Sequence, residues 1–142
     1  GFVTYWEQAK TRLVGVEPEV IAKYNVVSAP VAARMALGAA AASGSDIAVS
    51  VTGVAGPTGG DEVRPVGTVY LGAARGDTVY VQKLFVSRPD RALVRARAAQ
   101  AALALALRLA QGKVPAHTKP LAASEQHSAA ALDALNEAFL AE

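Results

Sequence analysis

The chain has 142 residues, of which 52% are hydrophobic and 18% charged, and this supplies enough apolar side chains for the core of one domain. Its 14 basic and 12 acidic residues leave a net charge of +2, which argues against a nucleic-acid groove that depends on net charge. The lack of cysteine excludes disulfides, thiolate zinc sites and cysteine nucleophiles, and no apolar run is long enough to span a bilayer. We therefore expect a cytoplasmic protein that needs neither a membrane nor nucleic acid.

The first third of the chain favours one strand and three helices. GFVTYW, at residues 1–6, is rich in aromatic and β-branched residues and predicts a strand, while EQAKTRLVGV predicts a short helix that ends at Gly15. EPEVIAKYN predicts a second short helix, with Pro18 in its first turn. Ser28 is suited to cap a third helix that stops at the SGS sequence of residues 43–45.

The middle of the chain favours three strands. DIAVSVTG is almost wholly apolar, which is typical of a strand buried on both faces of a sheet. After a glycine-rich stretch, GTVYLGAA and TVYVQKLF are separated by RGD and predict a hairpin. These patterns indicate an α/β fold with mixed parallel and antiparallel strands.

The last third favours a long helix, a linker and a terminal helix. SRPD, at residues 87–90, predicts a capping box before a helix that reaches about Gln111. KVPAHTKP contains two prolines and predicts an extended linker, and a helix with one apolar stripe follows, which we expect to pack on its own domain or on a symmetry mate. The resulting divisions are a domain at residues 1–111, a linker at 112–123 and a C-terminal helix at 124–142.

The stretch SVTGVAGPTGGDEVRPVGTVYLG is the first candidate binding feature. Its glycines allow positive φ angles and close approach of the backbone to a ligand, and a loop that follows a strand is a common ligand site in α/β proteins. It matches neither the P-loop nor the G-x-G-x-x-G pattern, so the pattern fits a ligand loop and a wide structural turn equally well. The glycines concerned are Gly53, Gly56, Gly59 and Gly60.

Arginines in the first half of the long helix, Arg91 and Arg95 among them, are the second candidate feature. The positive end of the helix dipole disfavours cations there, and the conflict is relieved when an anion such as a phosphate lies nearby. Screened surface arginines are the alternative. His117 and His127 lie too far from other ligand types to predict a metal, so we expect neither a metal nor a cofactor.

TYWEQAK places Tyr5 and Lys10 across the predicted junction between strand and helix. A partly desolvated lysine acts as a base toward a serine hydroxyl, and a tyrosine orients or relays the proton. Taken alone, Lys10 also fits a surface lysine, and Tyr5 a half-buried aromatic residue. Ser28 and Ser50 are better explained as a helix cap and a buried strand residue than as nucleophiles.

Four segments together resemble one known family. GFVTYWEQAKTRLVGV, VSAPVAARMALGA, DIAVSVTGVAGPTGGDEVRPVGTVYLGAA and RALVRARAAQAAL are similar, in order and spacing, to the CinA C-terminal domain family, whose members include nicotinamide mononucleotide amidohydrolases. The resemblance covers about residues 1–110. It implies a three-layer α/β/α sandwich with a mixed, mainly parallel sheet.

The resemblance also implies a reaction. Family enzymes convert nicotinamide mononucleotide to nicotinic acid mononucleotide and ammonia with a serine nucleophile and no metal. Lys10 matches the family's general base and Tyr5 its supporting residue, while Thr52 and the loop glycines match the segment that lies against the substrate. Arg91 and Arg95 match candidates for the phosphate, so the implied partner is a small nucleotide.

Three departures from the family pattern bear on this interpretation. Trp6, Glu7 and Gln8 replace the usual serine, asparagine and glutamate, and two extra residues precede Arg91. The family's Ala-Glu-Ser-x-Thr-Gly-Gly segment, which carries the nucleophile, is absent, together with the first strand and helix. We expect that segment upstream of Gly1 in a longer protein, and a homo-oligomer where apolar surface is left exposed. The alternative is a shortened, non-catalytic module that binds nucleotides or partners.

Overall fold

The computed structural model describes residues 1–141, and Glu142, the last residue of the predicted C-terminal helix, lies outside the described residues. Three helices precede the sheet: α1 (Glu7–Val14), α2 (Pro18–Tyr24) and α3 (Ala29–Ser43). Gly15 ends α1 in the left-handed conformation, with φ of 70°, which a glycine adopts without strain. The Ser28 hydroxyl caps α3 by accepting a hydrogen bond from the backbone of Val31 over 3.4 Å. The three predicted helices are therefore confirmed.

Within residues 1–141, four strands form one sheet in chain order, and every pair in it is antiparallel. They are β1 (Ile47–Gly53), β2 (Thr68–Arg75), β3 (Thr78–Phe85) and β4 (Lys119–Ala122). The predicted hairpin is present, but the prediction of a mainly parallel sheet is wrong for the described residues. The apolar run of β1 predicts a strand covered on both faces of a sheet, and helices lie on both faces of this antiparallel sheet.

Helices cover both faces of the sheet, so the three-layer α/β/α arrangement is confirmed. Alternate residues of β2 point to opposite sides: Tyr70 and Ala74 pack with α3 and with α5 (Ala129–Leu140), while Val69 and Leu71 pack with α4 (Arg91–Ala110). The two buried clusters therefore lie on opposite sides of the sheet.

Three local predictions need correction. The strand predicted at residues 1–6 is absent. Residues 1–5 form neither helix nor strand, because no strand among residues 1–141 pairs with them. The cap of α4 is Asp90, whose carboxylate accepts hydrogen bonds from the backbone amides of Ala92 and Leu93. The helix therefore begins three residues later than it would with Ser87 as its cap. The predicted linker at 112–123 contains β4, which pairs with β3, and a 3₁₀ turn (Ala123–Glu125) precedes α5.

The C-terminal segment packs on its own domain, and side-chain hydrogen bonds join it to the first three helices. Tyr24 donates a hydrogen bond to Asp133 of α5 over 2.5 Å, and the buried guanidinium of Arg34 bonds to both Glu17 and Gln126. Among residues 1–141, no helix has the length and apolar character needed to cross a membrane. The segment beyond the long helix is therefore part of the packed fold.

Candidate functional site

Lys10 is a buried lysine on α1, with 6% of its surface exposed. Its Nζ donates a hydrogen bond to the backbone carbonyl of Thr4 over 2.6 Å. Burial takes the ammonium out of water and lowers the pKa of Lys10, while the carboxylate of Glu7, one turn earlier, acts in the opposite direction. Because a lowered pKa makes the neutral amine more available, Lys10 is suited to accept a proton.

Lys10 opens into a groove of about 960 Å³ between residues 1–5, α1, the end of α3 and β1. Tyr5, Thr52 and Gly53 line the same groove, so four of the predicted site residues meet in one place. Tyr5 is 86% exposed, whereas Thr52 is buried and its hydroxyl donates to the carbonyl of Val26 over 2.8 Å. The groove therefore places a candidate base beside a space large enough for a small ligand.

β1 forms one edge of the sheet and lies along this groove. Among the described residues it pairs with β2 alone, and its Val51 is 41% exposed. An edge strand presents backbone N–H and C=O groups to a further extended segment. The groove thus joins a buried lysine to an open sheet edge.

The serines along the groove have structural partners. The Ser50 hydroxyl donates to the carbonyl of Ala32 over 2.6 Å and accepts from the amide of Gly72 over 3.1 Å. Ser43 and Ser45, at the end of α3, bond to each other over 2.9 Å. Within residues 1–141, Lys10 hydrogen-bonds to none of these serines. No serine of the described chain is therefore held by the candidate base.

The glycine-rich loop leaves the groove after Gly53 and folds back on itself. The amide of Val54 donates to the carbonyl of Thr68, and that of Gly67 to Val54, each over 2.8 Å. A side chain at Gly56 or Gly60 would collide with Val66, so both glycines are needed for the close packing of the loop. Gly56, Gly59 and Gly60 do not line the groove that contains Lys10.

Arg91 and Arg95 are exposed residues in the first two turns of α4. The Arg91 guanidinium donates to the carbonyl of Gly56 over 3.0 Å, which attaches the start of α4 to the loop. Arg95 is exposed one turn further along α4. Neither lines the groove, so the structure brings Arg91 to the loop but does not bring either arginine beside Lys10.

Arg64 is a loop residue that the sequence did not single out. Its Nε donates to the carbonyl of Val27 over 2.7 Å and a second guanidinium nitrogen donates to that of Tyr24 over 2.9 Å. It also lines a second cavity of about 620 Å³ on the other side of α1, which shares Glu7 and Val26 with the groove. Because its partners are backbone atoms distant in the chain, no local pattern could have revealed its role.

The match to a family model covers residues 1–110 and carries the description CinA C-terminal domain. The chain belongs to the CinA C-terminal domain family. Residues 111–142 lie beyond the matched range, so β4 and α5 are features of this chain that the family match does not include.

Named relatives support the same assignment. The chain is 45% identical over 105 residues to the nicotinamide-nucleotide amidohydrolase PncC of Escherichia coli (strain K12), which covers 72% of the chain and 62% of the relative. It is 52% identical over 95 residues to a CinA-like protein of Geobacter sp. (strain M21), covering 67% of the chain and 23% of the relative. The chain therefore spans less than two thirds of these relatives.

Solved structures share the fold. A CinA superfamily protein from Escherichia coli has a TM-score of 0.72 at 36% identity, over 77% of this chain and 63% of that chain. The competence/damage inducible protein CihA from Agrobacterium tumefaciens has a TM-score of 0.70 at 36% identity, over 80% and 68% of the two chains. Both belong to the superfamily that the sequence resemblance indicated.

Proposed function

We propose that this chain forms part of an amidohydrolase that converts nicotinamide mononucleotide to nicotinic acid mononucleotide and ammonia. The observation that carries the proposal is the groove in which buried Lys10 faces Tyr5, Thr52 and Gly53. The named amidohydrolase activity of the Escherichia coli relative, at 45% identity, supports the substrate. The competing function is a non-catalytic module that binds a nucleotide or a partner.

The nucleophile in this scheme is a serine on a segment outside residues 1–142, seated in the groove along β1. The open edge of β1 and the lack of a serine held by Lys10 within residues 1–141 both support this arrangement. Lys10 takes the proton of that serine, whose oxygen attacks the carboxamide carbon. The C–N bond then breaks, ammonia leaves with the proton, and water hydrolyses the acyl-enzyme to release the acid.

Two sets of groups are candidates to bind negative charge in this scheme, one at the oxyanion and one at the phosphate. Backbone amides at the start of the glycine-rich loop, where Gly53 lines the groove, or of the segment outside residues 1–142 are candidates to stabilise the oxyanion. Arg91 and Arg95 are candidates for the phosphate, since both are exposed on the first turns of α4, Arg91 contacts the loop, and arginine forms strong paired hydrogen bonds with phosphate. No metal takes part in the scheme.

The test is turnover by the product of the whole coding sequence that contains this chain. Ammonia and nicotinic acid mononucleotide should form in equal amounts from nicotinamide mononucleotide, and the chain of 142 residues alone should not form them. A whole protein that binds the nucleotide without releasing ammonia would contradict the proposal and favour the binding module.

A further inference from the structure

The short connection between α2 and α3, residues 25–28, forms part of the wall of both cavities. Val26 lines the groove that contains Lys10 and also the cavity on the other side of α1. Asn25, which begins the connection, has φ of 77° and ψ of 153°. These angles are almost confined to glycine, and other residues keep them only where the surrounding structure holds them, most often at functional sites. The strain at Asn25 therefore makes this connection a candidate part of the site.

Side chains of the glycine-rich loop and of β1 fix the carbonyls of this connection. Arg64 donates to the carbonyls of Tyr24 and Val27 over 2.9 and 2.7 Å, and its side chain is 16% exposed. Between them, the carbonyl of Val26 accepts from the hydroxyl of Thr52 over 2.8 Å. Each of these bonds joins residues at least 26 positions apart in the chain. The folded structure thus holds the strained connection in one shape.

The peptide between Asn25 and Val26 sets the direction of the Val26 N–H group. The carbonyl of Asn25 accepts a hydrogen bond over 2.8 Å from the hydroxyl of Ser28, which is 1% exposed. This peptide is trans, so its N–H group points opposite to its carbonyl, away from the buried start of α3. Within residues 1–141 the N–H group has no hydrogen-bond acceptor, although most backbone amides of a fold are paired. It is therefore available to a ligand.

We propose that the backbone amide of Val26 donates a hydrogen bond to the carboxamide oxygen of the substrate in the groove, and that Arg64 and Asn25 are positioning residues for this donor. The inference rests on the proposed function. We assign the donor to the groove because Val27 and Thr52, which are fixed with Val26, line the groove and not the second cavity. A donor held in place before the reaction stabilises the charge that develops on the oxygen without further rearrangement.

Steady-state kinetics of ammonia release by the product of the whole coding sequence tests the role of Arg64. Arg64→Lys keeps the charge but loses the planar fork that bonds two carbonyls. Per folded molecule, kcat should fall by about 10²-fold, because the donor is misplaced where charge develops, while KM should stay within about threefold of wild type.

Arg12→Lys is the matched control, since Arg12 lines the second cavity and makes no bond to the connection, and it should keep the wild-type kcat and KM. A wild-type kcat for Arg64→Lys, or a rise in KM alone as expected for a phosphate contact, would overturn the proposal.

Two substitutions of Asn25 separate its backbone conformation from its side chain. Both Asn25→Gly and Asn25→Ala remove the side-chain oxygen that accepts from the amide of Val27 over 2.9 Å. Glycine adopts the required angles without strain, so Asn25→Gly should keep kcat within about threefold, whereas Asn25→Ala should lower it by at least about tenfold. Equal kcat values for the two variants would show that the conformation at this position does not position the donor.

A nuclear magnetic resonance titration separates this inference from the proposed function. Nicotinamide mononucleotide added to the whole protein carrying Lys10→Ala, which slows turnover, should shift the amide resonance of Val26. The shift should be lost when Arg64→Ala is added. Shifts of other groove residues without one at Val26 would overturn this inference and leave the proposed function standing. A wild-type protein that binds the nucleotide and releases no ammonia would instead contradict the proposed function, and the assignment of the carboxamide oxygen with it.

Discussion

At the scale of single residues, Lys10 combines burial with access to a groove. Burial lowers its pKa, and Glu7 limits the shift by its negative charge. Glu7 stands where the family pattern has asparagine and Gln8 where it has glutamate, so the acidic residue of this motif lies one position earlier, one turn before the candidate base. The proton affinity of Lys10 is therefore set by its burial and by the charge of Glu7.

The first prediction concerns the titration of Lys10. In a pH titration followed by NMR of the lysine side-chain carbons, Lys10 should titrate below the ordinary lysine pKa of 10.5, because its ammonium is desolvated. Glu7→Gln should lower the midpoint further, since it removes the charge that favours the protonated form. The account is wrong for this residue if Lys10 titrates at or above the ordinary lysine pKa of 10.5.

Some residues of the site could be predicted and others could not. Gly53 follows from the glycine-rich stretch, whereas the roles of Tyr5, Lys10 and Thr52 follow from the resemblance to the family. The structure brings these four residues together in the groove. The role of Arg64 depends on carbonyls of Val27 and Tyr24, which only the folded chain brings near. Local sequence patterns carry no information on such distant backbone partners.

At the scale of elements, the segment after α4 completes the sheet and one helical layer. β4 adds a strand beside β3, and α5 buries three residues of its apolar stripe against α3 and the sheet. Phe139 packs edge to face on Tyr70, with 5.8 Å between the ring centres. The stripe was predictable from its helical spacing. β4 was not, because two prolines in and just before it are typical of a linker and are tolerated in a strand only at a sheet edge.

Phe139 provides the second prediction. Phe139→Ala should lower the free energy of unfolding by about 3 to 5 kcal/mol, because a buried aromatic ring is replaced by a cavity. Leu140→Ala, at the adjacent position that is 44% exposed, should change it by less than about 0.5 kcal/mol. Urea unfolding followed by circular dichroism measures both. Equal effects of the two variants would show that α5 does not pack as described.

The third prediction concerns the ion pair of Glu17 with buried Arg34, joined over 2.8 Å. Burial by itself raises the pKa of Glu17, but the hydrogen bond and charge of Arg34 outweigh it, so the pKa lies below its ordinary value of 4.5. The ionised form thus stabilises the fold fully above pH 4.5, and this contribution disappears as the pH falls through the lower folded pKa.

Glu17→Gln should therefore cost on the order of 3 kcal/mol at pH 7 and progressively less in acid, because the variant leaves Arg34 without its carboxylate. Urea unfolding between pH 7 and pH 3 measures the difference. Glu19→Gln, an exposed neighbour, is the control and should follow the wild type. A constant difference between Glu17→Gln and wild type across this range would contradict the assignment.

At the scale of the whole molecule, the layers were predictable and the strand directions were not. Alternating helices and apolar strands indicate a sheet covered on both sides, which the two buried clusters confirm. Strand direction depends instead on where each connection returns to the sheet. The glycine-rich loop between β1 and β2 brings the chain back at the same end, so the pair is antiparallel, and neither its length nor its composition revealed this.

The groove beside β1 links this architecture to the proposed chemistry. Its walls come from the opening residues, α1, α3 and β1, so the site depends on the arrangement of the whole first half of the chain. A general base typically contributes about 10² to 10⁴ in rate, which makes its removal easy to detect.

The most direct test is ammonia release from nicotinamide mononucleotide by the product of the whole coding sequence, with Lys10→Ala beside exposed Lys113→Ala. The account predicts that Lys10→Ala lowers the rate by about 10² to 10⁴, while Lys113→Ala keeps the wild-type rate. Circular dichroism of both variants checks that they are folded. A folded Lys10→Ala protein with the wild-type rate of ammonia release would contradict the account.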